Sequence, residues 1–212
     1  ELISEDARED VRSQLNFSGA LSFRDGQSGL YACNFQEKNS GVNHNPTFVW
    51  RKSWFCFGNE IICLGSDIAN NDASNPTATT LLQGKLATPS TPLTLDGAAI
   101  TAFPHDSTAN GGSPHRLLDA FGTGYLVQPG SNVRITRSTQ SAANETGTGS
   151  PTTGDFATAW LDHGTAPAGA SYEYAVFPAT DATAMAAAAI QHGSGTTKPY
   201  EIIQRDTGAH VV

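Results

Sequence analysis

Lys52-Ser53-Trp54-Phe55-Cys56-Phe57, then Gly58-Asn59, then Glu60-Ile61-Ile62-Cys63-Leu64-Gly65 is the stretch that decides the fold. Two runs of aromatic and branched residues suit the pleated surface of a sheet, and a two-residue turn led by glycine joins them as a tight hairpin. Side chains alternate across a strand. Phe55, Phe57, Ile62 and Leu64 therefore fall on one face, and Trp54, Cys56, Ile61 and Cys63 on the other. Both faces are apolar, so both must be covered. The hairpin belongs in the middle of a sandwich, or between a sandwich and another domain.

The same register sets Cys56 opposite Ile61 and Cys63 opposite Trp54. The two cysteines are then diagonal neighbours about 7–8 Å apart, too far for an unstrained disulfide. They read as small buried hydrophobes. With Cys33 the chain has three cysteines, an odd number, so at least one has no partner within the chain. No C-x-x-C spacing points to zinc, and the sequence calls for no cofactor.

Working outward, turn signals recur between short apolar runs. Upstream, Ser22 to Arg24 and Leu30 to Phe35 read as strands around the turn formers Asp25-Gly26-Gln27-Ser28-Gly29, and Glu37 to Pro46 is a polar loop before Thr47 to Trp50. Downstream, Thr77 to Gln83 is strand-like, and Leu93-Thr94-Leu95 and Ala98-Ala99-Ile100 flank an Asp96-Gly97 hairpin turn. A long loop containing Gly111-Gly112 leads to strands at Gly124 to Val127 and Asn132 to Thr136. Ser138 to Gly154 reads as an exposed loop. Phe156 to Leu161 and Tyr172 to Phe177 read as strands joined across His163 to Ala170, and Tyr200 to Gln204 and Ala209 to Val212 as the last two. One helix is indicated, Asp181 to Gln191, with Thr180 as its N-cap. The sum is an all-β chain, an antiparallel β-sandwich with one short helix near the C-terminus. Residues 1–16 read as a linker or the start of a domain, and residues 17–212 as the sandwich. It is expected to be truncated at both ends, since Ala209-His210-Val211-Val212 breaks off like the middle of a strand.

Charged residues make up only 15% of the 212, while 21 Gly and 11 Pro supply turns. A net charge of −8 argues against nucleic acid as a partner, because phosphate binding needs a basic face. An acidic polysaccharide remains open, since a local basic groove coexists with an acidic whole. No apolar run is long enough for a membrane helix, so no membrane partner is expected. The acidic start, Glu1 to Asp6, is not a signal peptide.

Several motifs invite a catalytic or metal reading and lose to plainer ones. Asp162-His163-Gly164 lacks an activated serine, for in Gly26-Gln27-Ser28-Gly29 the second glycine comes one place too early for G-x-S-x-G. His163 is better read as structural. Asp67, Asn70, Asn71 and Asp72 lack the calcium-loop spacing and read as an Asx-rich turn. Trp54 belongs to the core. Trp50 is the better candidate for stacking on a sugar ring, and Arg51 and Lys52 beside it are candidates for a sulfate or carboxylate. The residues alone stop at an acidic β-sandwich of exported type, with sugar-binding and purely structural roles both open.

Three stretches carry a resemblance. Arg51-Lys52-Ser53-Trp54-Phe55 through Ile61-Ile62-Cys63-Leu64-Gly65-Ser66-Asp67-Ile68, with Thr79-Thr80-Leu81 after it, is the first. Gly124-Tyr125-Leu126-Val127 is the second. Gly154 to Gly164 with Ala170-Ser171-Tyr172-Glu173-Tyr174 is the third. In order and spacing they resemble family 8 polysaccharide lyases, in particular the chondroitin ABC type. The resemblance implies a sandwich of the supersandwich type, an α-helical toroid upstream, and an acidic polysaccharide, such as chondroitin or dermatan sulfate or hyaluronan, lying between the two. It implies β-elimination at a uronic acid, and a secreted or periplasmic enzyme. No residue of this chain aligns with the family's catalytic Asn, His, Tyr or Arg. One position carries over. Phe17-Ser18-Gly19 followed by Arg24-Asp25-Gly26-Gln27-Ser28-Gly29 is similar to the family's F-S-G…L-E-G-Q-x-G run, which sets Asp25 where an accessory glutamate stands. Arg24, Trp50, Arg51 and Lys52 are then the candidate substrate contacts. A free-standing carbohydrate-binding module is the rival reading.

Overall fold

The computed structural model describes residues 13–15, 17–24, 26–38, 44–142, 150–193 and 198–212. In chain order the strands are β1 (Ser18–Ser22), β2 (Ser28–Gln36), β3 (Val49–Phe57), β4 (Glu60–Ala69), β5 (Pro76–Lys85), β6 (Leu93–Leu95), β7 (Ala98–Ile100) and β8 (His105–Ala109). They continue with β9 (His115–Leu118), β10 (Gly124–Val127), β11 (Asn132–Ala142), β12 (Thr152–Thr165) and β13 (Ala168–Phe177). One helix, α1 (Ala182–Gly193), and the short pair β14 (Gln204–Arg205) and β15 (His210–Val211) complete the described chain.

Nine strands form an antiparallel sheet in the order β1-β2-β3-β4-β13-β10-β9-β6-β7, and four form a second in the order β5-β12-β11-β8. The deciding hairpin lies inside the larger sheet, and both its faces are covered. Between the sheets, Cys63, Tyr125, Val127, Tyr172 and Tyr174 meet Leu82, Val133, Ile135, Ala159 and Leu161. On the outer face of the larger sheet, Phe55, Ile62, Leu64, Leu126 and Ala175 lie beneath Met185 of α1, with Tyr200, Ile202 and Val212 packed against them. Only Phe57, at the hairpin tip, is exposed among the eight alternating residues.

The turns follow their residues. Gly58 takes a φ of 58° as the first central residue of its hairpin, whereas Asp96 and Gly97 are both left-handed (53° and 87°), as a primed type I turn requires. Cys56 and Cys63 lie opposite Ile61 and Trp54, and all three thiols are free. Burial pushes the Cys63 thiol up to about 12. A bulge at Asp67, φ 54°, inserts one residue into β4 between the pairs Arg51–Ser66 and Val49–Ala69. The extra residue reverses the alternation. Ser66 therefore faces outward and Ile68 joins the core between the sheets.

Several sequence expectations are corrected. The stretch read as a long loop after Ile100 contains β8 and β9, whose His-Asp-Ser-Thr-Ala and His-Arg-Leu-Leu carry little strand propensity and are held by pairing to β11 and β10. The loop expected over Ser138 to Gly154 is mostly ladder: β11 runs to Ala142 and β12 starts at Thr152, while 143–149 lie outside the described residues. The connection read across His163 to Ala170 shrinks to Ala166 and Pro167. The helix is capped by Asp181, whose carboxylate accepts the Ala184 N–H at 2.8 Å, instead of by Thr180. The first dozen residues, read as linker or helix, lie outside the described residues.

Candidate functional site

The β1–β2 hairpin ends in a turn in which Phe23 N–H donates to Ser28 O (2.9 Å) and Gly26, φ 68°, donates to Phe23 O (3.2 Å). This turn leans on the tip of the next hairpin, for Gly58 N–H donates to Gln27 O at 3.3 Å. That second tip is fixed in turn by Asn59, whose amide donates to Pro178 O at 2.8 Å. Arg24 is exposed at the edge of this double tip. Asp25 lies outside the described residues.

Trp50, Arg51 and Lys52 lie at the other end of β3. Phe57 is level with Ser28 and Arg51 with Asn34, so six residues, about 20 Å of strand, separate the two places. The structure thus does not bring the sequence candidates together. Nor do Arg51 and Lys52 act as a pair, because adjacent strand residues point to opposite faces. Arg51 points outward, its Nε 3.4 Å from Asp67 Oδ2. Lys52 points between the sheets, its Nζ 4.7 Å from the centre of the Trp50 ring. Burial pulls the Lys52 ammonium below its ordinary pKa. The Trp50 ring stacks on Phe35 at 4.9 Å and 8° and packs against the inter-sheet core. A face of that indole is already spent on protein.

The remaining motifs resolve as local structure. Asn70 Oδ1 accepts Asp72 N–H at 2.8 Å, and the Asp72 carboxylate accepts from Ser74 N, Asn75 N and Asn75 Nδ2 at 2.8–3.1 Å. The oxygens that suggested calcium are the hydrogen-bonding core of a turn. Among the described residues no cluster of His, Cys, Asp or Glu has metal-site geometry. His163 lies within β12, not in a turn, with Nε2 2.9 Å from Thr79 Oγ1 and its ring stacked 6.1 Å from Tyr172.

Burial, and secondarily the Lys52 charge, pulls the His163 imidazole down to about 4 from an ordinary 6.5. Between those values the unfolded chain binds a proton that the folded chain refuses. Its contribution is therefore complete above pH 6.5 and is lost as the pH falls toward 4, by ~3 kcal/mol in all. His163→Gln is expected to flatten the fall in urea midpoint between pH 7 and pH 5. An unchanged slope would remove His163 as its source.

Sequence reasoning missed one polar cluster. His210 of β15 reaches Ser53 of β3 with Nδ1 (2.8 Å) and Ser66 of β4 with Nε2 (2.8 Å). Beside it, the largely buried Glu173 accepts from Lys198 Nζ (2.7 Å) and Tyr200 Oη (2.8 Å). These contacts clamp the C-terminal segment over the outer face. Their partners are up to 157 positions apart, so no local pattern announces them.

A profile of the polysaccharide lyase family 8 super-sandwich domain matches residues 3–189. The chain belongs to polysaccharide lyase family 8. Within the family it is 32% identical over 205 residues to the chondroitin sulfate ABC endolyase of Proteus vulgaris, covering 95% of this chain and 19% of that protein. It is 34% identical over 198 residues to the chondroitin sulfate ABC exolyase of Bacteroides thetaiotaomicron, covering 92% of this chain and 17% of that one. The fold matches a Paenibacillus xanthan lyase with a TM-score of 0.75 at 25% identity, over 91% of this chain and 18% of that one. This family 8 sandwich thus spans under a fifth of the length of these relatives.

Proposed function

We propose that this sandwich forms one wall of the substrate cleft of a lyase that cleaves an acidic, uronate-containing polysaccharide by β-elimination. An α-helical toroid upstream would supply the other wall and the groups that remove and return the proton. The observation that carries the reading is the braced double tip. The β1–β2 turn that resembles the family's accessory-acid run is held against the β3–β4 turn by the Gly58–Gln27 hydrogen bond, and it offers the exposed Arg24 to a polyanion. Asp25 in this turn would assist the proton-transfer constellation, and Arg24 would take a carboxylate or sulfate through charge-assisted hydrogen bonds. An enzyme acting on such a polymer must meet it outside the cytoplasm, so a secreted or periplasmic location goes with the reading.

The parent protein is expected to release unsaturated uronate from chondroitin sulfate, read by its ultraviolet absorbance, while this chain alone gives a flat trace. In the parent, Asp25→Ala should lower kcat by about a hundredfold or more, the low end of what a lost proton-transfer partner costs. Arg24→Ala should raise KM by roughly three- to tenfold, the worth of one charge-assisted contact at an exposed site. Unsaturated product from the isolated chain would sink the divided-site reading. A parent indifferent to Asp25→Ala would remove the accessory acid.

A further inference from the structure

The outer face of the nine-stranded sheet holds, at its β1–β2–β3 end, a cavity of about 270 Å³. Its floor is Phe17 beside β1, Ala32 and Asn34 of β2, and Arg51 and Ser53 of β3. Asn34 pairs with Arg51 and Ala32 with Ser53, so these side chains share one face, and the intervening Cys33 and Lys52 turn inward. Its wall is the turn from Asp206 to His210 between β14 and β15.

That wall is preformed. Asp206 Oδ1 accepts Gly208 N–H at 2.7 Å and Ala209 N–H at 3.1 Å, and Gln204 Nε2 binds the same carboxylate. The carboxylate is spent on its own turn. Ser66 Oγ donates its one proton to Asp206 O at 3.1 Å, so it accepts from His210 Nε2–H. His210 Nδ1 is left to accept from the Ser53 hydroxyl. The imidazole is thereby fixed as one neutral tautomer that ties the wall to the floor.

Arg51 is the unspent group. Its Nε–H is buried without a hydrogen-bond partner, and Asp67 at 3.4 Å supplies charge without hydrogen-bond geometry. A guanidinium carries five N–H donors arranged to fork onto a planar or tetrahedral oxyanion. About a third of this side chain is exposed, and Arg51 lines the cavity. Phe17, 55% exposed, stands at the rim as an apolar ring face, and Asn34 and Thr207 offer polar atoms around the cavity.

We propose that this cavity is a second saccharide subsite, taking one acidic sugar residue with its carboxylate or sulfate on Arg51 and its ring against Phe17. The assignment rests on the reading of the parent as a lyase of acidic polysaccharide. It is separate from the Arg24 tip, about 20 Å away along the strands. Its role is to hold the polymer, with no part in bond cleavage.

The test is calorimetric titration of the 212-residue chain with D-glucuronate, with glucose 6-sulfate and with glucose. The two acidic sugars should bind and glucose should not. Arg51→Gln should lower the affinity at least tenfold and Phe17→Ala at least threefold, while Arg134→Gln on the other sheet leaves it unchanged. Phe17 is exposed, so its variant keeps the proposal testable should Arg51→Gln fail to fold. No binding, equal binding of glucose, or indifference to Phe17→Ala and Arg51→Gln would each overturn the subsite. Unsaturated product from the parent without Arg51-dependent binding defeats the subsite and spares the lyase reading. Arg51-dependent binding in a parent that releases no such product does the reverse.

Discussion

Gly65→Ala is expected to destabilise the domain by about 3 kcal/mol or more, enough to lower its thermal midpoint by many degrees. A methyl at Gly65 would lie 2.1 Å from Tyr172 Cε1 and 2.5 Å from Cζ, where no carbon pair can remain. Tyr172 is the cross-strand partner of Gly65 and is 3% exposed. Its ring lies 5.5 Å from that of Tyr174 and 6.1 Å from that of His163. It has no empty direction to take, so the strain must pass into the core between the sheets. Two other glycines set the scale. At Gly124 the methyl would meet Met185 Sδ at 2.1 Å, but a thioether chain bends away more readily than a ring. At Gly84 it would meet Phe121, which is 63% exposed and swings into water. Urea denaturation should order the costs Gly65, Gly124, Gly84, with Gly84→Ala below about 1 kcal/mol. Equal costs at Gly65 and Gly84 would show that close packing does not govern these positions.

The Gly65–Tyr172 contact also explains what the sequence reveals of the fold. Leu64-Gly65-Ser66 and Ser171-Tyr172-Glu173 belong to separate stretches of the family resemblance, over a hundred residues apart, and they meet as one cross-strand pair. Strand existence was legible wherever both faces of a strand are apolar, as in β3, β4 and β10. It was not legible in β8 or the ends of β11 and β12, where strands are polar and owe their form to neighbours, and the strand read over Tyr200 to Gln204 is observed only from Gln204, in β14. Propensity is a weak guide there, because pairing and packing override it. The helix was placed within two residues, but its cap was shifted by one, since Thr180 and Asp181 both suit the role and only geometry separates them.

The arrangement of the candidate site residues was not legible in the sequence. Trp50-Arg51-Lys52 reads as one patch, yet the pleat sends Arg51 to one face and Lys52 to the other. Lys52 thereby enters the layer that holds His163 and the core tyrosines, and its charge helps keep that histidine neutral. Arg51 instead meets a wall contributed by residues 206–210, which no local pattern could supply. The family 8 sandwich therefore presents two separate basic positions on a net acidic body, each set by a different turn.

Arg137→Met is expected to cost about 4 kcal/mol or more, although the side chain is exchanged for an apolar one of comparable length. Arg137 is fully buried at the end of the inward-facing row Val133, Ile135, Arg137 of β11. Its guanidinium donates to Ala102 O (2.8 Å), Pro89 O (2.7 Å) and Thr91 O (2.6 Å), pinning two loops that close the edge of the sandwich. Replacing a buried ion pair by apolar residues is often harmless because both charged partners leave together. Here the partners are main-chain carbonyls that remain, each costing ~1–3 kcal/mol when left buried and unpaired. Three such groups outweigh whatever the methionine regains in apolar contact. Arg137→Lys should fall between, since one ammonium cannot span carbonyls that the planar fork reaches from two nitrogens. Urea denaturation gives the totals, and amide hydrogen exchange should rise first in residues 87–92 and 101–104. A methionine variant within about 1 kcal/mol of the parent sequence, with exchange in those loops unchanged, would mean that the carbonyls find other donors and that Arg137 is not the clamp.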